Sequence, residues 1–148
     1  MTILVDADAF PNALKEVLLR AVLKRQLTTI FIANKNIAIP NVPFVSMQIV
    51  PQGADEADHR IVELCEVDDL VITADIPLAD RIVTKGALAL DPRGTVYDEN
   101  NIKSLLAIRN LMQDLRNAGE ITGGPSAIGV KEVRAFADAL NAFLGKKR

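Results

Sequence analysis

Short, strand-like apolar runs recur along this chain with helix-length amphipathic stretches between them, and no other feature constrains the fold as strongly. Thr2–Val5, Thr28–Ala33, Phe44–Val50 and Leu70–Thr73 are runs rich in aliphatic, β-branched and aromatic residues. Pro11 to Arg25 repeats Leu14, Val17, Leu18, Ala21 and Val22 at three- and four-residue spacing, which predicts a helix with Pro11 in its first turn. Asp55 to Glu66 predicts a second helix, with Ile61, Val62 and Cys65 on one face. Pro77 to Lys85 predicts a short third, stopped by Gly86. Asn34–Pro43, with prolines at 40 and 43, reads as a loop, and Pro51-Gln52-Gly53 as a turn. Ala87–Leu90 and Thr95–Tyr97 flank Asp91-Pro92-Arg93-Gly94 and predict a hairpin. Ile102 to Ala118 predicts a long amphipathic helix capped by Asn100 or Asn101 and closed by Gly119. A last helix is expected over Val130–Leu144, ahead of a Lys146-Lys147-Arg148 tail. Strands separated by helices imply βαβ units, hence one α/β domain with a central, mostly parallel sheet flanked by helices.

Composition supports that reading and excludes others. A chain of 148 residues with 49% apolar content can bury a substantial core as a single domain. Its apolar runs fall short of a membrane span, and the opening strand lacks the basic and apolar regions of a secretory signal. Neither a membrane association nor export is expected. Cys65 is the only cysteine, so no internal disulfide forms, which fits a reducing, cytoplasmic setting. The net charge of −2 hides an asymmetry: residues 1–100 carry −6 and residues 101–148 carry +4. An acidic front and a basic back fit an anionic partner held by the basic part, or charges merely spread over solvated faces.

The acids are placed where a parallel sheet binds its ligands, outside the carboxyl ends of its strands at a topological switch point. Asp6 follows the first strand, and Asp8 follows two residues later, on the same side of an extended exit. Asp75 follows the Leu70–Thr73 strand and Asp80 lies about one turn into the next helix. Asp55 and Asp58 share a face of the second helix. Converging carboxylates repel and are tolerated when a cation sits between them. Mg²⁺ or Mn²⁺ fits all-oxygen donors, and such ions activate water and neutralise a phosphodiester. Each acid has a structural alternative: Asp55 or Asp8 as a helix cap, Asp58 as a complement to a helix dipole. Asp75 is one residue too early to cap if Pro77 opens its helix. Asp68-Asp69 reads as a polar turn.

Other candidates carry less chemistry. His59 is the only histidine, which excludes a histidine-rich metal site. Cys65, on an apolar helix face, reads as a buried thiol. Gly123-Gly124-Pro125 is a phosphate-cradling loop or a plain turn, with no Walker or dinucleotide fingerprint around it. Lys103, Arg109 and Arg116 fall roughly on one side of the long helix, as a phosphate-facing stripe or a solvated face.

The stretches "VDADAFP", "ADHRIVE", "VITADIPLAD", "DENNI" and "GGPSAIG" closely resemble the YaiI/YqxD family of uncharacterised bacterial proteins, over nearly the whole chain. That family resembles a branch of the PIN-like nucleases. The resemblance implies a PIN-like α/β fold and a Mg²⁺- or Mn²⁺-dependent ribonuclease site. It matches Asp6 to the aspartate ending the first strand, Asp58 to the acid on the mid-chain helix, and Thr73-x-Asp75 to the Thr-x-Asp closing the next core strand. Asp8 and Asp80 match further acids of the pattern. Family members commonly read Asp-Ala-Cys-Pro where this chain has Asp8-Ala9-Phe10-Pro11, so a thiol there is no part of its chemistry. The early-helix glutamate of PIN proteins has only Glu16 as a counterpart.

The expectation is therefore metal-dependent hydrolysis of RNA or single-stranded nucleic acid. Asp6, Asp58 and Asp75 would hold the ion, Asp8 and Asp80 would orient water, and Thr73 would support them by hydrogen bonding. Lys103, Arg109, Gly123 and Gly124 would receive the backbone. A haloacid dehalogenase-type phosphatase with Asp6 as nucleophile and Asp8 as acid is the rival; it expects a paired acid motif after a later strand, whereas Asp68-Asp69 precedes one. A binding module with a vestigial site is the second rival. Self-association is left open by the sequence.

Overall fold

The computed structural model describes residues 1–8, 10–53, 55–120 and 128–146, with no account of the Lys146 side chain. Its elements run β1 (Ile3–Asp6), α1 (Asn12–Arg25), β2 (Thr29–Ala33), β3 (Val45–Ile49), α2 (Glu56–Leu64) and β4 (Leu70–Ile72). They continue α3 (Ile76–Lys85), β5 (Leu88–Leu90), β6 (Val96–Tyr97), α4 (Ile102–Asn117) and α5 (Val130–Lys146). The strands form one six-stranded sheet in the order β3-β2-β1-β4-β5-β6. Every pairing is parallel except the β5–β6 hairpin. The elements match the sequence reading to within about two residues, the ordinary uncertainty of an element end.

Both faces of the sheet are covered, so the inner strands are apolar without a break. Ile3, Leu4 and Val5 are all buried, as are Leu70, Val71 and Ile72. Alternation sends Ile3, Val5, Phe31, Leu70 and Ile72 into one core, with Leu14, Leu18 and Val22 of α1 and Phe136 and Leu140 of α5. It sends Leu4, Ile32, Val71 and Ala89 into the other, with Ile61 of α2, Leu78 and Ile82 of α3, and Ile102 of α4. The result is a three-layer α/β/α domain. Chain direction reverses beside β1: the β1–α1–β2 crossover runs one way, and the step from β3 through α2 to β4 returns across it. The gap between the carboxyl ends of β1 and β4 is thus a topological switch point.

α4 is the least embedded helix. Ile102 alone on it is buried, while Ile108 and Leu111 are more than half exposed. No helix among the described residues is long and apolar enough to cross a membrane.

The β5–β6 turn seats α5. Gly94 has φ +96, and a Cβ there would stand 2.8 Å from the backbone carbon and oxygen of Ala135. Gly119 has a similar φ of +77, with nothing within 4 Å. Gly94→Ala is expected to cost about 2 kcal/mol or more, through left-handed strain and displacement of α5. Gly119→Ala, with the strain alone, is expected to cost about 1 kcal/mol. Urea unfolding of the two variants beside the wild type checks the difference.

Candidate active site

Parallel register places the acids. Val5 pairs with Ile72, so Asp6 and Thr73 are the next residues along β1 and β4. Both follow the alternation that sends Leu4 and Val71 to the α2–α3 side, and their side chains meet: the Thr73 hydroxyl donates to Asp6 Oδ2 at 2.8 Å. Thr73 Oγ1 also accepts from the Asp75 backbone N–H at 3.0 Å, which fixes the chain as it leaves the strand. α2 lies across the carboxyl ends of β1 and β2, anchored by buried Ile61, and brings Asp58 in from its first turn.

Asp6, Asp8, Asp55, Asp58 and Asp75 line one polar cleft of about 220 Å³, together with Asn34, Pro51 and Gly53. Its electrostatics are strained. Burial pushes the Asp6 carboxyl up; the Thr73 hydrogen bond opposes this, and repulsion from Asp75 and Asp8 adds to it. Asp58 is pushed up to about 6, first by burial, then by the charges of Asp75, Asp6 and Asp55, and by a hydrogen bond shared with the Asp75 carboxyl.

Several expectations change here. Asp75 does cap its helix: α3 begins at Ile76, Pro77 is the second helical residue, and Asp75 Oδ1 accepts from Leu78 N–H at 3.1 Å. Asp75 thus serves cap and cleft together. Asp55 stands at the N-cap of α2 without a capping bond and with φ +66, a conformation unfavourable for a residue with a side chain. In the sequence its position favours a cap; its residue type and its partner at i+3 are the available signal for the cleft. Asp8 does not cap α1, which begins behind Pro11 with no side-chain cap. Both Asp8 oxygens accept instead from Asn34 N–H, at 3.1 and 3.0 Å.

Asp80 is not brought into the cleft. Lys103 Nζ pairs with its Oδ1 at 2.8 Å, tying α4 to α3. Lys103, expected as a phosphate contact, is engaged there, and Arg109 donates to its neighbour Asn110. Gly123 and Gly124 lie outside the described residues. His59 is exposed, with Nδ1 3.4 Å from Arg81 Nη2. Cys65 is buried, and burial pushes its thiol up to about 11. Asp69 accepts from the Thr2 and Glu66 N–H groups at the opposite, amino end of β4.

The donors are all carboxylates, a set suited to Mg²⁺ or Mn²⁺. No three His, Cys, Asp or Glu side chains among the described residues form a ready-made metal cage. Mg²⁺ does not demand one, since it commonly keeps several waters and takes one or two protein carboxylates.

Comparison with known proteins agrees with the resemblance to the YaiI/YqxD family. The family model described as "Uncharacterized BCR, YaiI/YqxD family" matches residues 4–146. A UPF0178 protein of a Sulfurovum species is 57% identical over 146 residues, 99% of each chain. One of a Nitratiruptor species is 54% identical over 144 residues, 97% of this chain and 95% of its own. One of Legionella pneumophila (strain Lens) is 47% identical over 148 residues, the whole of both chains. No solved structure matches the chain.

The raised Asp58 carboxyl sets a pH dependence. Between its ordinary value of 3.8 and about 6, the folded state binds more protons than the unfolded state. Stability of the metal-free protein therefore falls as pH rises through that window. Asp58→Asn is expected to flatten this decline, in urea midpoints measured from about pH 4 to about pH 7 in EDTA.

Proposed function

We propose, from the premise that the chain belongs to the YaiI/YqxD family of uncharacterised bacterial proteins, that it is a metal-dependent hydrolase of RNA or single-stranded nucleic acid. One observation carries the reading: aspartates from three distant segments line a single polar cleft at the switch point of a parallel sheet. Structural aspartates settle into caps and turns, whereas Asp6 and Asp58 stay in mutual repulsion. Such repulsion is relieved by a cation, and a cation among carboxylates serves phosphodiester chemistry.

Asp6, Asp58 and Asp75 would hold Mg²⁺ or Mn²⁺, which supplies an activated water and neutralises phosphate charge. The chain's own groups do the rest. Thr73 holds Asp6 Oδ2 in place, so that carboxylate meets its ligand in a fixed orientation. The raised Asp58 carboxyl would give up its proton beside a cation, so binding strengthens with rising pH. Asp8, clamped by Asn34, orients water at the cleft mouth.

In Mn²⁺, the wild type is expected to cleave a labelled single-stranded RNA and to be stabilised, by about 2.7 kcal/mol at a hundred times the dissociation constant. Asp75→Asn removes one repelling charge and keeps the cap, since asparagine caps about as well. Its metal-free form is expected to melt above the wild type. It should gain little from Mn²⁺ and lose at least the ~10–100-fold in activity that follows from removing even an indirect support of a metal. A wild type indifferent to both metals, and inert on single-stranded RNA and DNA, overturns the reading.

A further inference from the structure

A second cleft, of about 370 Å³, adjoins the acidic one and carries two lysines against one aspartate. Asp8 lines both. The loop after β2 spans them too, with Asn34 facing the acidic cleft and Lys35 the second. Lys15, from the first turn of α1, lines the second cleft, with Asn12 beside it and Phe10 and Ile37 as apolar walls.

Neither lysine is neutralised. Elsewhere Arg20 pairs with Glu16, Arg60 with Glu63, Arg93 with Glu132 and Lys103 with Asp80. Lys15 and Lys35 have no ion pair and no side-chain hydrogen bond among the described residues. Asp8, the one carboxylate lining this cleft, makes no ion pair with either lysine and accepts through both oxygens from Asn34 N–H. Two cations against one carboxylate leave the concave site with a surplus positive charge, complementary to an anion from outside. The first turn of α1 has no acidic residue, so its positive end adds to the field.

We infer that the Lys15–Lys35 cleft is a phosphate subsite, which takes a backbone phosphate neighbouring the one the aspartates act on. This rests on the reading of the acidic cleft as the hydrolytic site. The size fits: about 370 Å³ lies near the lower end of small-ligand clefts, from about 300 Å³, enough for one nucleotide unit. The sharing of Asp8 puts the two clefts side by side, as successive phosphates of one strand require. The ligand so placed is the phosphate backbone of a single strand, with affinity supplied by lysines on the acidic half of the sequence.

The test is binding without chemistry. The full chain is titrated with a labelled single-stranded RNA in EDTA across a salt series. Lys15→Gln/Lys35→Gln is expected to weaken binding about tenfold at low salt and to reduce the log–log salt slope by about 0.7 for one phosphate contact. A charge-matched control, Lys24→Gln/Lys131→Gln, changes exposed lysines that line neither cleft and should bind as the wild type does. The Lys15/Lys35 variant should keep the wild-type melting temperature and Mn²⁺ shift, which separates lost binding from lost folding. Equal losses in the two double variants, or no loss in either, overturn the subsite. Lysine-dependent binding without cleavage in either metal supports phosphate binding at the Lys15–Lys35 cleft and overturns the hydrolase reading; metal-dependent cleavage with lysine-independent binding overturns the subsite alone.

Discussion

The hydrogen bond from Thr73 to Asp6 joins the carboxyl ends of β1 and β4, and the shape of the acidic cleft depends on that junction. It forms because two strands 67 residues apart pair in parallel, one step short of both side chains. It cannot by itself balance the charges around it. A hydrogen bond to a charged group contributes about 1.5–3 kcal/mol. Two carboxylates about 4 Å apart repel by about 4 kcal/mol at an effective dielectric near 20, before solvent screening lowers it. The remaining repulsion, with burial, raises the Asp58 carboxyl, and a cation from outside would relieve it.

The surrounding structure holds that strained centre in shape. The Asp75 side chain caps α3 while its carboxyl faces Asp58, so the helix start and the cleft are fixed by one residue. Asp8 is clamped by the backbone after β2, and Lys15 and Lys35 line the adjoining cleft without an ion pair to it. Asp80, by contrast, neutralises Lys103 and fastens α4, a helix with little buried surface of its own. Similar residue types therefore serve opposite ends: paired charges attach an outer helix, and unpaired ones line the clefts.

The elements were legible because each rests on local pattern. Leu14, Val17, Leu18 and Val22 could only line one face of a helix, and unbroken Ile3-Leu4-Val5 only a strand covered on both sides. Strands alternating with helices then required a parallel sheet, and Asp6 and Asp75, each just past a strand, were placed at its binding edge by that rule alone. Asp80 misled because helical spacing says which side of α3 it occupies and nothing of what packs there; α4 packs there, with Lys103.

What the sequence determined by itself was periodicity, hence strand, helix and sheet type, together with the carboxylate chemistry waiting at the strand ends. The tertiary structure decided which charges meet. Strand order, with β4 rather than β3 beside β1, brought Thr73 to Asp6 and opened the gap that α2 fills with Asp58. The same packing turned Asp55 from a cap into a strained lining residue and set Lys15 beside Lys35 across a loop. Coulombic energy depends on distance and burial, and neither is encoded by spacing along the chain once the residues lie on different elements.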